Sequence, residues 1–148
     1  MKIEKKMQEI LSIFQEGIIE NLKYSVNDLN FKIECTFLAD KIDKDFTSFY
    51  GVFKSCKDLY FEPWDDQQNI ITDPREIIGL KIELLNTEVG DNGYLKIYVN
   101  CSNTYSGGNL FIHCLDILLF DEEFNGITLQ QMNDLVDKYW YSNNNAEG

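Results

Sequence analysis

Residues 79–101 read GLKIELLNTEVGDNGYLKIYVNC, and this stretch decides the fold class. Its two outer segments, GLKIELLN and YLKIYVNC, are rich in the β-branched and aromatic residues that favour strands. Between them, residues 90–93 read GDNG, a tight-turn signal because Asn and Gly tolerate positive φ angles. Two strands joined by so short a turn run antiparallel. The stretch therefore predicts a β-hairpin.

The chain on either side of this hairpin contains further strand candidates. Residues 30–37, NFKIECTF, alternate strictly, with Phe31, Ile33, Cys35 and Phe37 on one face. The other candidates are SFYGVFKS (48–55), LYFEPW (59–64) and NLFIHCLDILLF (109–120). The segment YSGGN at 105–109 predicts a second hairpin turn.

Helical periodicity marks both ends of the chain. Apolar residues from Ile3 to Leu22 recur every three or four positions, which predicts a helix over about residues 3–23. Thr128 and Gln131 form a capping-box pattern ahead of apolar residues at helical spacing, which predicts a helix over about 128–141. The predicted class is α+β: an antiparallel sheet of about five or six strands flanked by an N-terminal and a C-terminal α-helix.

Length and composition indicate one globular domain. The 148 residues fit a single domain, 1–148, in which 142–148 (SNNNAEG) form a frayed tail. The four cysteines lack CxxC spacing and lie mostly in apolar stretches, which is typical of reduced core residues. Charges interrupt the N-terminal apolar pattern, and the longest apolar run is too short to span a bilayer. We therefore expect a cytoplasmic protein that does not contact membranes.

The net charge of -12 is concentrated in two segments. Residues 58–76 contain six acids and one base, and residues 116–137 contain six acids and no base. Such a chain repels phosphates, which argues against nucleic acid as a partner and favours a basic protein. Acidity also keeps a protein soluble without any partner. Here, however, the acids lie beside large amphipathic rings, and aromatic anchors within a charged rim are typical of protein-binding surfaces.

We expect the two acidic segments to contribute to one face that captures this basic partner. Tyr60 and Trp64 are the expected apolar anchors, and the acids are the expected steering charges. The predicted contact residues are Tyr60, Glu62, Trp64, Asp65, Asp66, Glu122 and Glu123. Whether Trp64 lies at the surface or in the core is a question that the sequence leaves open.

Patterns for metal, cofactor or catalytic sites are weak in this chain. The segment EPWDDQQNIITDPRE lacks the spacing of a calcium loop, and Asp73 and Pro74 fit the start of a short helix instead. His113 is the only histidine, and its neighbour Cys114 would point to the opposite face of a strand. We therefore expect a binding protein without catalytic residues, metal or cofactor. Two alternatives stay open: a small hydrolase that uses His113 with carboxylates, and a homo-oligomeric structural or phage-encoded protein.

Three segments carry a family resemblance: DLYFEPWDD (58–66), GGNLFIHCLDILLFDEEF (107–124) and TLQQMNDLVDKYWY (128–141). In size, charge and aromatic content the chain resembles the small, acidic, single-domain α+β immunity proteins that bacteria encode beside polymorphic or contact-dependent toxins. The resemblance implies a protein that binds a toxin domain, often a basic nuclease, and blocks its active site.

Overall fold

The computed structural model describes the backbone of residues 2–146 and the side chains of residues 2–141. Its elements are α1 (Ile3–Ile13), β1 (Ile18–Ser25), β2 (Asp28–Glu34), α2 (Thr36–Ala39), β3 (Ser48–Lys54), β4 (Asp58–Pro63), α3 (Pro74–Gly79), β5 (Ile82–Val89), a 3-10 turn (Asp91–Gly93), β6 (Tyr94–Cys101), β7 (Gly107–His113), β8 (Asp116–Phe120), β9 (Gly126–Ile127) and α4 (Leu129–Ala146). Within the described residues, no helix has the length and apolar character needed to cross a bilayer.

The strands form one antiparallel sheet in the order β4-β7-β6-β5-β1-β2-β3-β8-β9. Segments 48–63 and 107–120 make a long bent ribbon inside it, because β3 pairs with β8 and β4 pairs with β7 in nearly the same register. The bend lies at residues 55–57 and 114–115, between the paired halves. Since the two halves occupy opposite ends of the strand order, the sheet must curve until those ends meet.

One face of this curved sheet is buried and the other faces solvent. In β6, for example, Leu95, Ile97 and Val99 are buried, whereas Lys96 and Tyr98 are half-buried on the opposite side. The buried face packs on α1 through Met7, Ile10, Leu11 and Phe14. Met132 and Leu135 of α4 join the same core, and α4 also contacts α1 and α2. The outer face of the sheet is therefore the face that the helices leave uncovered.

Several sequence predictions are confirmed. The hairpin at 79–101 forms as β5 and β6, and the next turn joins β6 to β7. The capping box closes in both directions: the Gln131 N–H donates to Thr128 Oγ1 at 3.1 Å, and the Thr128 N–H donates to Gln131 Oε1 at 2.8 Å. Asp73 caps α3 by accepting the Arg75 N–H at 2.9 Å. The four cysteines are free thiols, and three of them, Cys35, Cys56 and Cys114, are buried as expected of core residues, whereas Cys101 is half-buried.

The predicted helix over 3–23 is wrong beyond Ile13, because Ile18–Ser25 form β1. Glu16 has a φ of 72°, which ends any helix there. A β-bulge between Ile19 and Asn21 then lets Ile19 and Leu22 face the core together although they are three residues apart. The bulge therefore gave a strand the apolar spacing of a helix.

The strand count of five or six was too low, since the sheet has nine strands within residues 2–146. The apolar run 109–120 is two strands, β7 and β8, separated at the ribbon bend. The strand predicted over 30–37 ends at Glu34, and Phe37 lies on α2 with 38% of its surface exposed. At the C-terminus α4 continues to Ala146, so the predicted frayed tail at 142–148 lies partly in this helix and partly, at 147–148, outside the described residues.

Candidate protein-binding surface

The outer face of β4, β7 and β6 carries a continuous aromatic surface. Strand pairing places Tyr60 opposite Phe111 and Phe111 opposite Lys96. The rings of Tyr60 and Phe111 stack with their centroids 4.7 Å apart. Lys96 Nζ lies 5.0 Å from the centre of the Tyr98 ring and 5.9 Å from that of Phe111. We call the outward residues of these strands, with Trp64 directly after β4, the platform: Asp58, Tyr60, Glu62, Trp64, Tyr94, Lys96, Tyr98, Asn109, Phe111 and His113.

Trp64 lies at one end of the platform and is both fixed and exposed. Its backbone N–H donates to the Gly107 carbonyl at 3.0 Å, which continues the pairing of β4 with β7. Its indole N–H donates to Asn109 Oδ1 at 3.0 Å. The ring also covers Gly107, where an added Cβ would come within 2.6 Å of the ring carbon Cζ3. The residue nevertheless keeps 39% of its surface exposed, so Trp64 is a surface residue that the sheet holds in place.

Asn109 beneath this ring has an unused pair of donors. The residue is only 8% exposed. Because an indole nitrogen can only donate, the amide oxygen must face Trp64 and the Nδ2 group must point elsewhere. Nδ2 has no hydrogen-bond acceptor among the described residues, yet it is not fully enclosed. The Nδ2 group therefore keeps some contact with solvent and has N–H groups without a protein acceptor in the described part of the chain.

The acids of the first segment divide into exposed and structurally engaged carboxylates. Asp58 and Asp66 are exposed and Glu62 is half-buried on the platform side of β4. Asp65 is different, because its Oδ2 accepts hydrogen bonds from the Ser106 N–H at 3.0 Å and from Ser106 Oγ at 2.9 Å. These two bonds lower the pKa of the Asp65 carboxyl. Asp65 therefore ties the chain after β4 to the β6–β7 turn.

The structure does not bring Glu122 and Glu123 to the platform. They follow β8 at one end of the bent ribbon, whereas Trp64 pairs with Gly107 at the other end. Glu122 accepts the Thr47 N–H at 2.8 Å, and Glu123 is exposed in a turn. Other acids of the second segment also serve the fold: Asp116 pairs with Lys6 at 2.9 Å, and buried Asp121 accepts three hydrogen bonds from its own turn.

His113 is held between its neighbours. Its Nε2 lies 2.8 Å from the Asn92 carbonyl oxygen, its Nδ1 lies 3.9 Å from Asp58 Oδ2, and its ring stacks on Tyr94 at 4.0 Å. Cys114 is buried on the other side of β7, with its Sγ 3.8 Å from Met7 Sδ. Burial raises the pKa of the Cys114 thiol to about 12. The two adjacent residues therefore do not form a nucleophile and base.

The described residues contain no group of three or more His, Cys, Asp or Glu side chains placed to hold a metal ion. A concave region of about 600 Å³ lies away from the platform, between the end of α1, α2 and α4. Phe37, Tyr139 and Trp140 line it. Trp140 is 59% exposed, and its neighbour Tyr141 is 71% exposed.

Sequence reasoning identified one strand of the platform and missed the others. Tyr60, Glu62, Trp64 and Asp66 were predicted and do lie together at β4 and the turn after it. The missed residues are Asn109 and Phe111 on β7 and Lys96 and Tyr98 on β6. The sequence shows that these residues alternate with apolar ones. It does not show the strand pairing that places them beside β4.

Comparisons of the chain with protein-family models, with curated proteins and with solved structures find no match.

Proposed function

We propose that this chain is an acidic protein-binding module, namely an immunity protein that binds and neutralises a basic cognate toxin through the platform. The observation that carries the proposal is Trp64: a large ring fixed by Asn109 and Gly107, still 39% exposed, and flanked by carboxylates. Buried aromatic anchors supply most of the energy of protein interfaces, and rim charges accelerate encounter.

The rigidity of the platform supports this use. Ordering a mobile side chain at an interface costs about 0.5–1.5 kcal/mol, and a ring that is already fixed avoids much of that cost. Tyr60 stacks on Phe111, and Trp64 is tied by its indole N–H. Both rings therefore meet a partner with little further loss of conformational entropy.

The charge distribution favours a partner with a positive net charge. The platform carries Asp58 and Glu62, with Asp66 next to it, and its one permanent cation is Lys96. The whole chain, with these residues included, carries a net charge of -12. A basic toxin domain, such as a nuclease, is attracted by the acids of the platform and by the negative charge of the whole chain, and association is faster at low ionic strength.

The hydrolase alternative has less support from the geometry. A general base needs a nitrogen free to reach a substrate proton. In His113, Nε2 is engaged by the Asn92 carbonyl, so only Nδ1 is left to act as a base, and the ring is stacked on Tyr94 with only 13% of its side chain exposed.

The test expresses the protein encoded by each gene adjacent to that of this chain in a sensitive host, alone and together with the chain. We expect the wild type to restore growth and to co-purify with the toxin. The double variant Glu62→Gln/Asp66→Asn should protect less at low expression. The matched control is Asp134→Asn/Asp137→Asn on α4, which removes the same two charges from exposed positions away from the platform. Toxin domains from both adjacent genes that neither bind the wild type nor lose toxicity would refute the proposal.

A further inference from the structure

The outward face of Trp64 is a site suited to a cation. Residues 60, 62 and 64 lie on the same side of an extended strand, so Glu62 flanks the indole ring along the chain. Asp66 follows two residues later, is exposed, and has no side-chain hydrogen bond among the described residues. Glu62 on the same side of the chain as the ring, and Asp66 beyond the bend at residues 64–65, have no cationic partner in the described part of the chain.

The same outer sheet face already places cations over rings at two other positions. Lys96 lies over Tyr98 and Phe111, and Lys32 Nζ lies 5.6 Å from the centre of the Tyr50 ring. Tryptophan attracts cations more strongly than tyrosine or phenylalanine. Among the described residues, however, no lysine or arginine lies over Trp64. Trp64, the platform ring that attracts cations most strongly, therefore has no cation over it among the described residues.

Arginine fits this site better than lysine. A guanidinium group is planar, stacks on an indole and donates paired hydrogen bonds to carboxylates, whereas an ammonium group acts as a compact, strongly hydrated point charge. The Asn109 Nδ2 group adds donors for a main-chain carbonyl beside such an arginine.

We propose that the exposed face of Trp64, together with Glu62 and Asp66, is a subsite for an arginine side chain of the protein partner. This inference rests on the proposed function and specifies the chemical group that the partner inserts. The partner's arginine stacks on the indole, its guanidinium donates to the two carboxylates, and the adjoining main chain accepts from Asn109.

The experiment uses Trp64 as its own reporter. The chain has two tryptophans, so Trp140→Phe leaves Trp64 as the only one. In that background we would titrate the protein, by indole fluorescence up to millimolar concentration, with an acetylated and amidated Gly-Arg-Gly peptide. Matched peptides carry lysine or citrulline in place of arginine, and citrulline keeps the shape of arginine without its charge.

We expect a saturable response with arginine, a weaker one with lysine and none with citrulline. Glu62→Gln/Asp66→Asn should weaken arginine binding about tenfold, because two exposed ion pairs are lost and each is worth about threefold. Asp134→Asn/Asp137→Asn should leave it unchanged. An equal response to citrulline, no saturable response, or equal binding by the two double variants would overturn the inference.

The outcomes separate this inference from the proposed function. If a toxin binds through the platform but the arginine peptide gives no fluorescence response, the arginine subsite is refuted and the proposed function is not. An arginine response that depends on the two carboxylates, without a toxin that binds, would leave the subsite and remove the function.

Discussion

The hydrogen bond between Trp64 and Asn109 can be tested by Trp64→Phe, which keeps an aromatic ring and removes the indole N–H. The substitution leaves Asn109 Oδ1, on a residue only 8% exposed, without its donor at 3.0 Å. An unsatisfied buried polar group costs about 1–3 kcal/mol. Asn109 retains some solvent contact, so we expect a loss of about 1–2 kcal/mol in the free energy of unfolding, in the lower part of that range. For a chain of this length, each kcal/mol lowers the melting temperature by about 2–4 °C.

The control for this prediction is Trp140→Phe on α4, where the residue is 59% exposed and makes no side-chain hydrogen bond within the described residues. Exposed substitutions of this kind change stability by less than about 0.5 kcal/mol. Urea unfolding followed by circular dichroism compares both variants with the wild type. Adding Asn109→Leu to Trp64→Phe should cost less than the two single losses combined, with a coupling of about 1 kcal/mol. Equal stability of the two tryptophan variants would refute the account of how the ring is held, and a loss above about 4 kcal/mol would show that Trp64 is a core residue.

Three further predictions concern strain, pH and thiols. Val26 has a φ of 58°, which is strained for a β-branched residue, and it is 94% exposed in the β1–β2 turn. Val26→Gly should therefore raise the free energy of unfolding by about 1 kcal/mol, and an unchanged urea midpoint would argue against backbone strain at this position. The hydrogen bonds from Ser106 lower the pKa of Asp65 in the folded state. The free energy of unfolding of the wild type should therefore exceed that of Asp65→Asn fully above about pH 4, and the difference should disappear as the pH falls through the lower, folded-state pKa. A pH-independent difference would show that these hydrogen bonds do not stabilise the carboxylate. Burial raises the pKa of the Cys35 and Cys114 thiols to about 12, so a thiol reagent at neutral pH should label the four native cysteines slowly and the urea-unfolded chain quickly, whereas one rapidly labelled native cysteine would indicate a reactive site.

The sequence predicted those elements whose signals are local. The hairpin at 79–101, the capping box of Thr128 and Gln131, and the Asp73 cap each depend on a few neighbouring residues, and all three formed as expected. The end of α1 was not predictable in this way. The bulge in β1 shifts the inward side chains by one residue, and a shifted strand has the same apolar spacing as a helix.

The candidate site shows the same division between local and long-range information. The residues from Tyr60 to Asp66 were found because they lie together in the chain and combine rings with acids. Asn109, which holds Trp64, is 45 positions away and becomes its neighbour only through the pairing of β4 with β7. Conversely, Glu122 and Glu123 have the same composition as the first acidic segment, but the ribbon carries them to its opposite end.

The most direct test of the account is the association rate between this chain and its basic toxin, measured by stopped flow at several salt concentrations. The platform variant Glu62→Gln/Asp66→Asn is compared with Asp134→Asn/Asp137→Asn, which has the same net charge. If the platform receives the toxin, the platform variant should associate more slowly than the control and show a weaker salt dependence, because nearby charges steer the encounter more strongly than distant ones. Identical association rates and salt dependences for the two variants would mean that the toxin binds elsewhere, and would contradict the central claim.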